Sequence, residues 1–213
     1  MMGDSNSAPR IVGIVPFDQF ELLDVFGPAE MFGLLKSQFQ LQMIGPSSEP
    51  VASAQGPKVL VDIAFDDVAH LDLIVVPGGI GTRTEVENEN LLSWLQKISS
   101  GAEYVTSVCT GSALLARAGV LDRRRATSNK WALEWVTSQG PHVDWVKKAR
   151  WVEDGKFWTS SGVSAGIDMT LALIEKLHGK AFADGIAKGT EYDRHTDSSW
   201  DPYAELYEFT REQ

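Results

Sequence analysis

Cys109 is the only cysteine among the 213 residues, and a thiol is a strong nucleophile that its surroundings can tune. The run Ala102-Glu103-Tyr104-Val105-Thr106-Ser107-Val108-Cys109-Thr110-Gly111-Ser112-Ala113-Leu114-Leu115 reads as a short β-branched strand turning at once into a helix. That puts the sulfur at the carboxyl end of a strand, over the first unpaired amides of a helix. N–H groups and the positive helix end there favour a thiolate over a thiol. A lone cysteine is commonly a small buried hydrophobe. The flanking Thr-Gly-Ser, polar and small where a core needs bulk, argues instead for a functional thiol.

Two other strand ends carry residues that such a site could use, since ligands of open α/β sheets bind beyond the carboxyl ends of the strands. Leu22-Leu23-Asp24-Val25-Phe26-Gly27-Pro28 sets Asp24 among apolar neighbours. Desolvation raises a carboxyl pKa there, so that it holds a proton near neutrality; the structural alternative is an aspartate serving the helix start. A short carboxyl beside a thiolate is the proton donor and acceptor that cysteine chemistry needs. Pro77-Gly78-Gly79-Ile80-Gly81 offers bare backbone, with Gly79 and Ile80, beside the N–H of Thr110, as candidate donors to an oxyanion or ligand. No Gly-Lys-Ser/Thr follows, so this is not a phosphate loop. None of the four histidines, His70, His142, His178 and His195, stands where a partner for Cys109 is expected, which disfavours a protease-like pair. No His/Cys/Asp cluster has metal-ligand spacing, so no metal is expected.

These residues need a frame, and alternating strands and helices supply it. Ile11–Val15 is a buried strand, Leu22–Leu35 a helix, Phe39–Ile44 a second strand and Lys58–Ile63 a short third. Asp72–Val76 is another buried strand, Asn88–Ser99 an amphipathic helix and Ser164–His178 a long apolar helix. Strands apolar on both faces and interleaved with helices predict an α/β fold, a mostly parallel sheet sandwiched between helices. Val143–Trp158 reads as an added β-hairpin turning at Glu153-Asp154-Gly155. Residues 1–9 are expected to be disordered and 10–213 to form a single domain. The C-terminal stretch Glu191–Tyr203 reads as a packing segment or as the rim of a pocket, and the seven tryptophans as large core or interface anchors.

A net charge of −10 argues against a nucleic-acid partner. Arg123-Arg124-Arg125, the only basic cluster, reads as a solvated turn. One cysteine fits a reducing compartment, and the polar start lacks an apolar signal core. No apolar run nears the ~18 residues that cross a bilayer. The expectation is a cytoplasmic protein with no membrane contact.

At these residues the sequence resembles the ThiJ/PfpI superfamily, of flavodoxin-like or class I glutamine amidotransferase-like fold. The resemblance runs from about Arg10 to about Lys188. It is carried by Leu23–Pro28, Val75–Gly79, Val105–Ser112 and Thr159-Ser160-Ser161-Gly162-Val163-Ser164-Ala165-Gly166-Ile167-Asp168. It is nearest to the isocyanide hydratase branch, in which an Asp-x-x-Gly-Pro acid faces a Ser-x-Cys-Thr-Gly nucleophile. The resemblance implies Cys109 as nucleophile, Asp24 as general acid/base, Thr110 beside the thiolate through its hydroxyl or N–H, and Gly79 as a backbone donor. It further implies a Gly162-Val163 turn over the pocket, a small electrophilic substrate, no cofactor and a homodimer. One departure stands out. Ala126-Thr127-Ser128-Asn129-Lys130-Trp131 has Asn129 where many members carry a histidine. With an aspartate in place of a longer glutamate, this disfavours glyoxalase-type chemistry on 2-oxoaldehydes. That activity, and a cysteine redox or stress sensor, remain the alternatives. A regulator of the superfamily's AraC type is disfavoured by the acidic charge and by the few residues after 190.

Overall fold

The structure is a computed structural model that describes residues 8–205, so the expected disorder of residues 1–9 falls largely outside the described residues. The strands are β1 Arg10–Ile14, β2 Phe39–Gly45, β3 Val51–Ala52, β4 Lys58–Val59, β5 Ile63–Ala64, β6 Leu73–Val76, β7 Tyr104–Ser107, β8 Arg125–Ala126, β9 Asp144–Trp145, β10 Trp151–Asp154 and β11 Phe157–Ser160. The α-helices are α1 Leu22–Gly33, α2 Thr82–Glu85, α3 Glu89–Gly101, α4 Gly111–Arg117, α5 Leu133–Gln139, α6 Ala165–His178 and α7 Lys180–Gly189.

A seven-stranded sheet runs in the order β10-β11-β7-β6-β1-β2-β5. Every pairing in it is parallel except the β10–β11 hairpin at one edge. The architecture is the α/β fold expected, with the hairpin built into the main sheet. Its central strands are buried on both faces, all four residues of β6 included, because helices cover each side. The carboxyl ends of β1, β6, β7 and β11 lie side by side in register, so the segments that leave them gather at one edge. Those segments carry Asp24, at the start of α1, the Pro77–Gly81 turn, Cys109 and the Gly162-Val163 turn.

The expected strand over Lys58–Ile63 is broken in two. β4 pairs antiparallel with β3, and β5 pairs parallel with β2 as the edge strand of the main sheet. Between them Leu60 is exposed, and the Asp62 carboxylate accepts the Met43 N–H at 2.7 Å, replacing a ladder bond with a side chain. Helices α5 and α7 were not expected. α5 is only seven residues long, and α7 contains two glycines, which weaken helical propensity although its buried Ala183, Ile186 and Ala187 keep a helical spacing.

Candidate active site

The nucleophile elbow is built by close approaches. Cys109 has φ +56°, a left-handed conformation that costs a non-glycine residue about 1–3 kcal/mol and needs outside support. That support is present: its N–H donates to Ser161 O at 3.3 Å, and its carbonyl accepts Ser128 Oγ at 2.8 Å and Ser112 Oγ at 3.2 Å. Gly111 lets α4 abut the end of β6, since a Cβ there would lie 2.2 Å from Val76 O.

Asp24, in the first turn of α1, is completely buried. Its Oδ2 accepts the Gly78 N–H at 2.8 Å, its Oδ1 has no conventional partner, and the carboxyl interacts with the Cys109 thiol. Burial pushes the Asp24 pKa well above the ordinary carboxylate range, against the pull of the Gly78 N–H. The direction is the one expected of a carboxyl in an apolar setting. The expectation of an acidic thiol is not met. Burial first, then the Asp24 charge, pushes the Cys109 pKa up, and the Thr110 N–H and the Asn129 side chain oppose this only in part. α4 is a helix of seven residues, and its few amides do not outweigh burial and a neighbouring carboxylate. Both groups therefore bind protons more tightly than they would in water, and Asp24 in its ionised form is a base strengthened to take the proton on sulfur.

A raised Asp24 pKa has a consequence for stability. The folded chain keeps a proton that the unfolded chain releases above about pH 3.9. Stability is therefore complete below that pH and falls as pH rises through the folded-state pKa. Asp24→Asn removes this loss. Its urea midpoint should exceed that of the wild type at pH 7 and converge with it near pH 3; a lower midpoint at pH 7 would contradict the strain.

The glycine turn plays a different part from the one expected. The Gly79 N–H donates to Thr110 Oγ1 at 3.0 Å, and the Thr110 hydroxyl lies 3.2 Å from Gly79 O. Gly79 thus holds Thr110 and does not present a free donor to a ligand. Its φ of +130° and a virtual Cβ 2.5 Å from Gln19 O show that the glycine is needed for backbone packing against the loop after β1. Of the two roles considered for Thr110, the N–H is the group that addresses the sulfur; its hydroxyl is turned toward Gly79. Ile80 is exposed. Thr82, fully buried, was not foreseen: its Oγ1 lies 2.7 Å from Gly79 O and 3.2 Å from Thr110 Oγ1, locking the turn. Nothing in the polar run Gly81-Thr82-Arg83-Thr84-Glu85 singles it out in the sequence.

Asn129 completes the set. Its Oδ1 accepts the Ala132 N–H at 3.2 Å, which leaves the amide NH₂ to hydrogen-bond the thiol. Gly162 gives that side chain its space, a Cβ there falling 2.0 Å from Asn129 Nδ2. Outside lies an open cleft of about 350 Å³ lined by Leu23, Asn129, Trp131, Val163, Tyr203 and their neighbours. The Gly162-Val163 turn does border the cleft, and Tyr203 brings the C-terminal stretch to its rim. No histidine is among the groups that act on the Cys109 thiol. Among the described residues no group of His, Cys, Asp and Glu could hold a metal ion, and no helix is long and apolar enough to cross a membrane.

Comparison with known proteins sets this geometry in context. Residues 10–176 match the DJ-1/PfpI family. The chain is 35% identical to an isonitrile hydratase of Pseudomonas putida over 85% of its own length and 78% of the relative's. It is 27% identical to an HTH-type transcriptional regulator of Pseudomonas aeruginosa over 89% of its length, spanning only 52% of that protein. It is 33% identical to a deglycase of Pyrococcus abyssi over 70% of its length and 88% of the deglycase. The crystal structure of a ThiJ/PfpI family protein from Pseudomonas syringae superposes with a TM-score of 0.82 at 25% identity, covering 100% of this chain and 92% of that one.

Proposed function

The chain belongs to the DJ-1/PfpI family, and from that premise we propose that it is a cysteine-dependent hydro-lyase adding water to an isocyanide to give an N-substituted formamide. The observation that carries this reading is the buried Cys109–Asp24 pair, flanked by an asparagine amide and with no histidine acting on the sulfur. An isocyanide is uncharged and its terminal carbon is soft, so a soft nucleophile and one proton shuttle suffice. Asp24 takes the thiol proton as sulfur bonds to the terminal carbon, and returns it to that carbon. The product is a thioimidate, with the nitrogen doubly bonded to a CH that carries the Cys109 sulfur. Water then adds to the same carbon, with Asp24 accepting a proton. Asp24 passes that proton to nitrogen; the carbon–oxygen double bond then forms as the carbon–sulfur bond breaks, the hydroxyl proton passes to sulfur, and the formamide leaves with the thiol restored. The similarity to an isonitrile hydratase supports the same reaction. The apolar side chains of Leu23, Trp131 and Val163 in the cleft suit an apolar group on the isocyanide nitrogen.

The test is incubation of the purified protein with an alkyl isocyanide and, separately, with a 2-oxoaldehyde, following the formyl proton by NMR. Formamide should appear with wild type and be lost with Cys109→Ala. Consumption of the 2-oxoaldehyde alone would replace this reading with the deglycase or glyoxalase type, which the similarity to the Pyrococcus deglycase favours.

A further inference from the structure

Lys130 follows Asn129 directly, and its side chain is as fully buried as that of Asp201, 2% exposed in each case. Its Nζ lies 2.8 Å from Thr127 Oγ1, 2.9 Å from Ser128 O and 3.0 Å from Ala149 O, with Asp201 Oδ2 at 3.1 Å as the counter-charge. The three ammonium protons are thus committed to the loop that carries Ser128 and Asn129 and to Ala149. Burying two ions is costly, and apolar side chains of similar volume commonly stabilise a fold as well or better. What an ion pair whose ammonium is fully hydrogen-bonded adds is one fixed geometry. Here that geometry belongs to the loop around the cysteine, where Ser128 Oγ donates to Cys109 O at 2.8 Å and the Asn129 side chain bonds the thiol.

Asp201 arrives on a strap of chain that is itself anchored beside the site. Ser198 O accepts the Arg150 N–H at 2.8 Å, and the His195 N–H donates to Asp168 Oδ1 at 2.9 Å. The other oxygen of Asp168 takes the Arg150 guanidinium at 2.5 and 2.6 Å, a second buried pair. Arg150 O in turn accepts the N–H of Ser161, whose own carbonyl receives the Cys109 N–H. The two buried pairs therefore tie the strap to the two segments that grip Cys109. The Lys130 ammonium and the Cys109 sulfur also lie within electrostatic reach of one another.

We propose that Lys130 is a positioning residue for Cys109: pinned by Asp201 of the C-terminal strap, it holds Ser128 and Asn129 against the cysteine. The proposal concerns the site of the hydratase reading, but alkylation of Cys109 by iodoacetamide in the folded protein tests it without any isocyanide. Lys130→Met should slow alkylation at pH 7 by about 10- to 100-fold, the scale on which small misplacements act. In the Asn129→Ala background the same substitution should have little further effect. Faster alkylation, which would report mere opening of the site, or an undiminished effect in that background, overturns the proposal. Asp201→Asn leaves the three Lys130 hydrogen bonds in place and serves if Lys130→Met does not fold. It should alter the alkylation rate, and the change should vanish in the Asn129→Ala background; no change in wild type, or one that persists there, overturns it. Where isocyanide turnover is measurable, Lys130→Met should lower kcat more than it raises KM. A wild type that ignores isocyanides refutes the hydratase reading and leaves the alkylation result to decide this one.

Discussion

Asp24→Asn should cut isocyanide turnover by about 10²–10⁴-fold, the usual worth of a positioned acid/base, while letting Cys109 alkylate at lower pH than in the wild type. The two effects run in opposite directions because one carboxyl does two things. It moves the proton that the reaction requires on carbon, and its negative charge raises the thiol pKa. Asparagine is of the same size and can still accept the Gly78 N–H through its carbonyl oxygen, so the buried geometry has a replacement for its one conventional hydrogen bond. Removing the charge lowers the thiol pKa, and the pH profile of iodoacetamide labelling should move toward acid. Turnover at the wild-type rate would place the proton donor elsewhere. A labelling profile that did not move would show that the carboxyl exerts no charge on the sulfur. A merely destabilised variant would not pair faster labelling at low pH with lost turnover and a raised urea midpoint.

Much of this site is legible in the sequence, and the part that is not has a common cause. Strand ends can be read from apolar periodicity, which assigns Asp24, Cys109 and the Pro77–Gly81 turn to one edge of a parallel sheet. The meaning of the glycines cannot be read this way. A glycine announces that something comes close, without saying whether it is ligand or backbone. At Gly79 it is the carbonyl of Gln19, and at Gly162 the side chain of Asn129. The state of the thiol is hidden from the sequence for a related reason. The amides of a following helix are local and can be counted, but burial and a facing carboxylate are tertiary and here outweigh them. Asn129 was visible as a departure from a resembling pattern, yet its bond to sulfur depends on the Ala132 N–H occupying its oxygen. Lys130 and Asp201 carry no mutual signal, because nothing in the sequence pairs a lysine with an aspartate far along the chain.

Gly78→Ala should cost about 10²-fold or more in turnover, although the substitution adds one carbon to a residue whose side chain touches no substrate. The Gly78 backbone needs no left-handed conformation, so the penalty is contact alone. A Cβ there would sit 2.5 Å from Thr110 N, 2.6 Å from Thr110 Oγ1 and 2.9 Å from Asp24 Oδ2, and none of these atoms belongs to the far end of a flexible side chain. Relief requires Thr110 and Asp24 to part. The first carries the N–H that addresses the sulfur and the second holds the proton, so a shift of about 1 Å disrupts both at once. Overpacking of this kind costs about 1–3 kcal/mol of stability, so the variant should fold with a reduced Tm and a kcat that falls more than stability explains. Gly185→Ala is the control: it lies within α7 with nothing inside 4 Å of its added Cβ. It should raise stability by about 0.4–1 kcal/mol and leave turnover unchanged. If Gly78→Ala instead retains wild-type turnover, the Thr110 N–H and the Asp24 carboxyl tolerate displacement, and the catalytic weight placed on their spacing is misplaced.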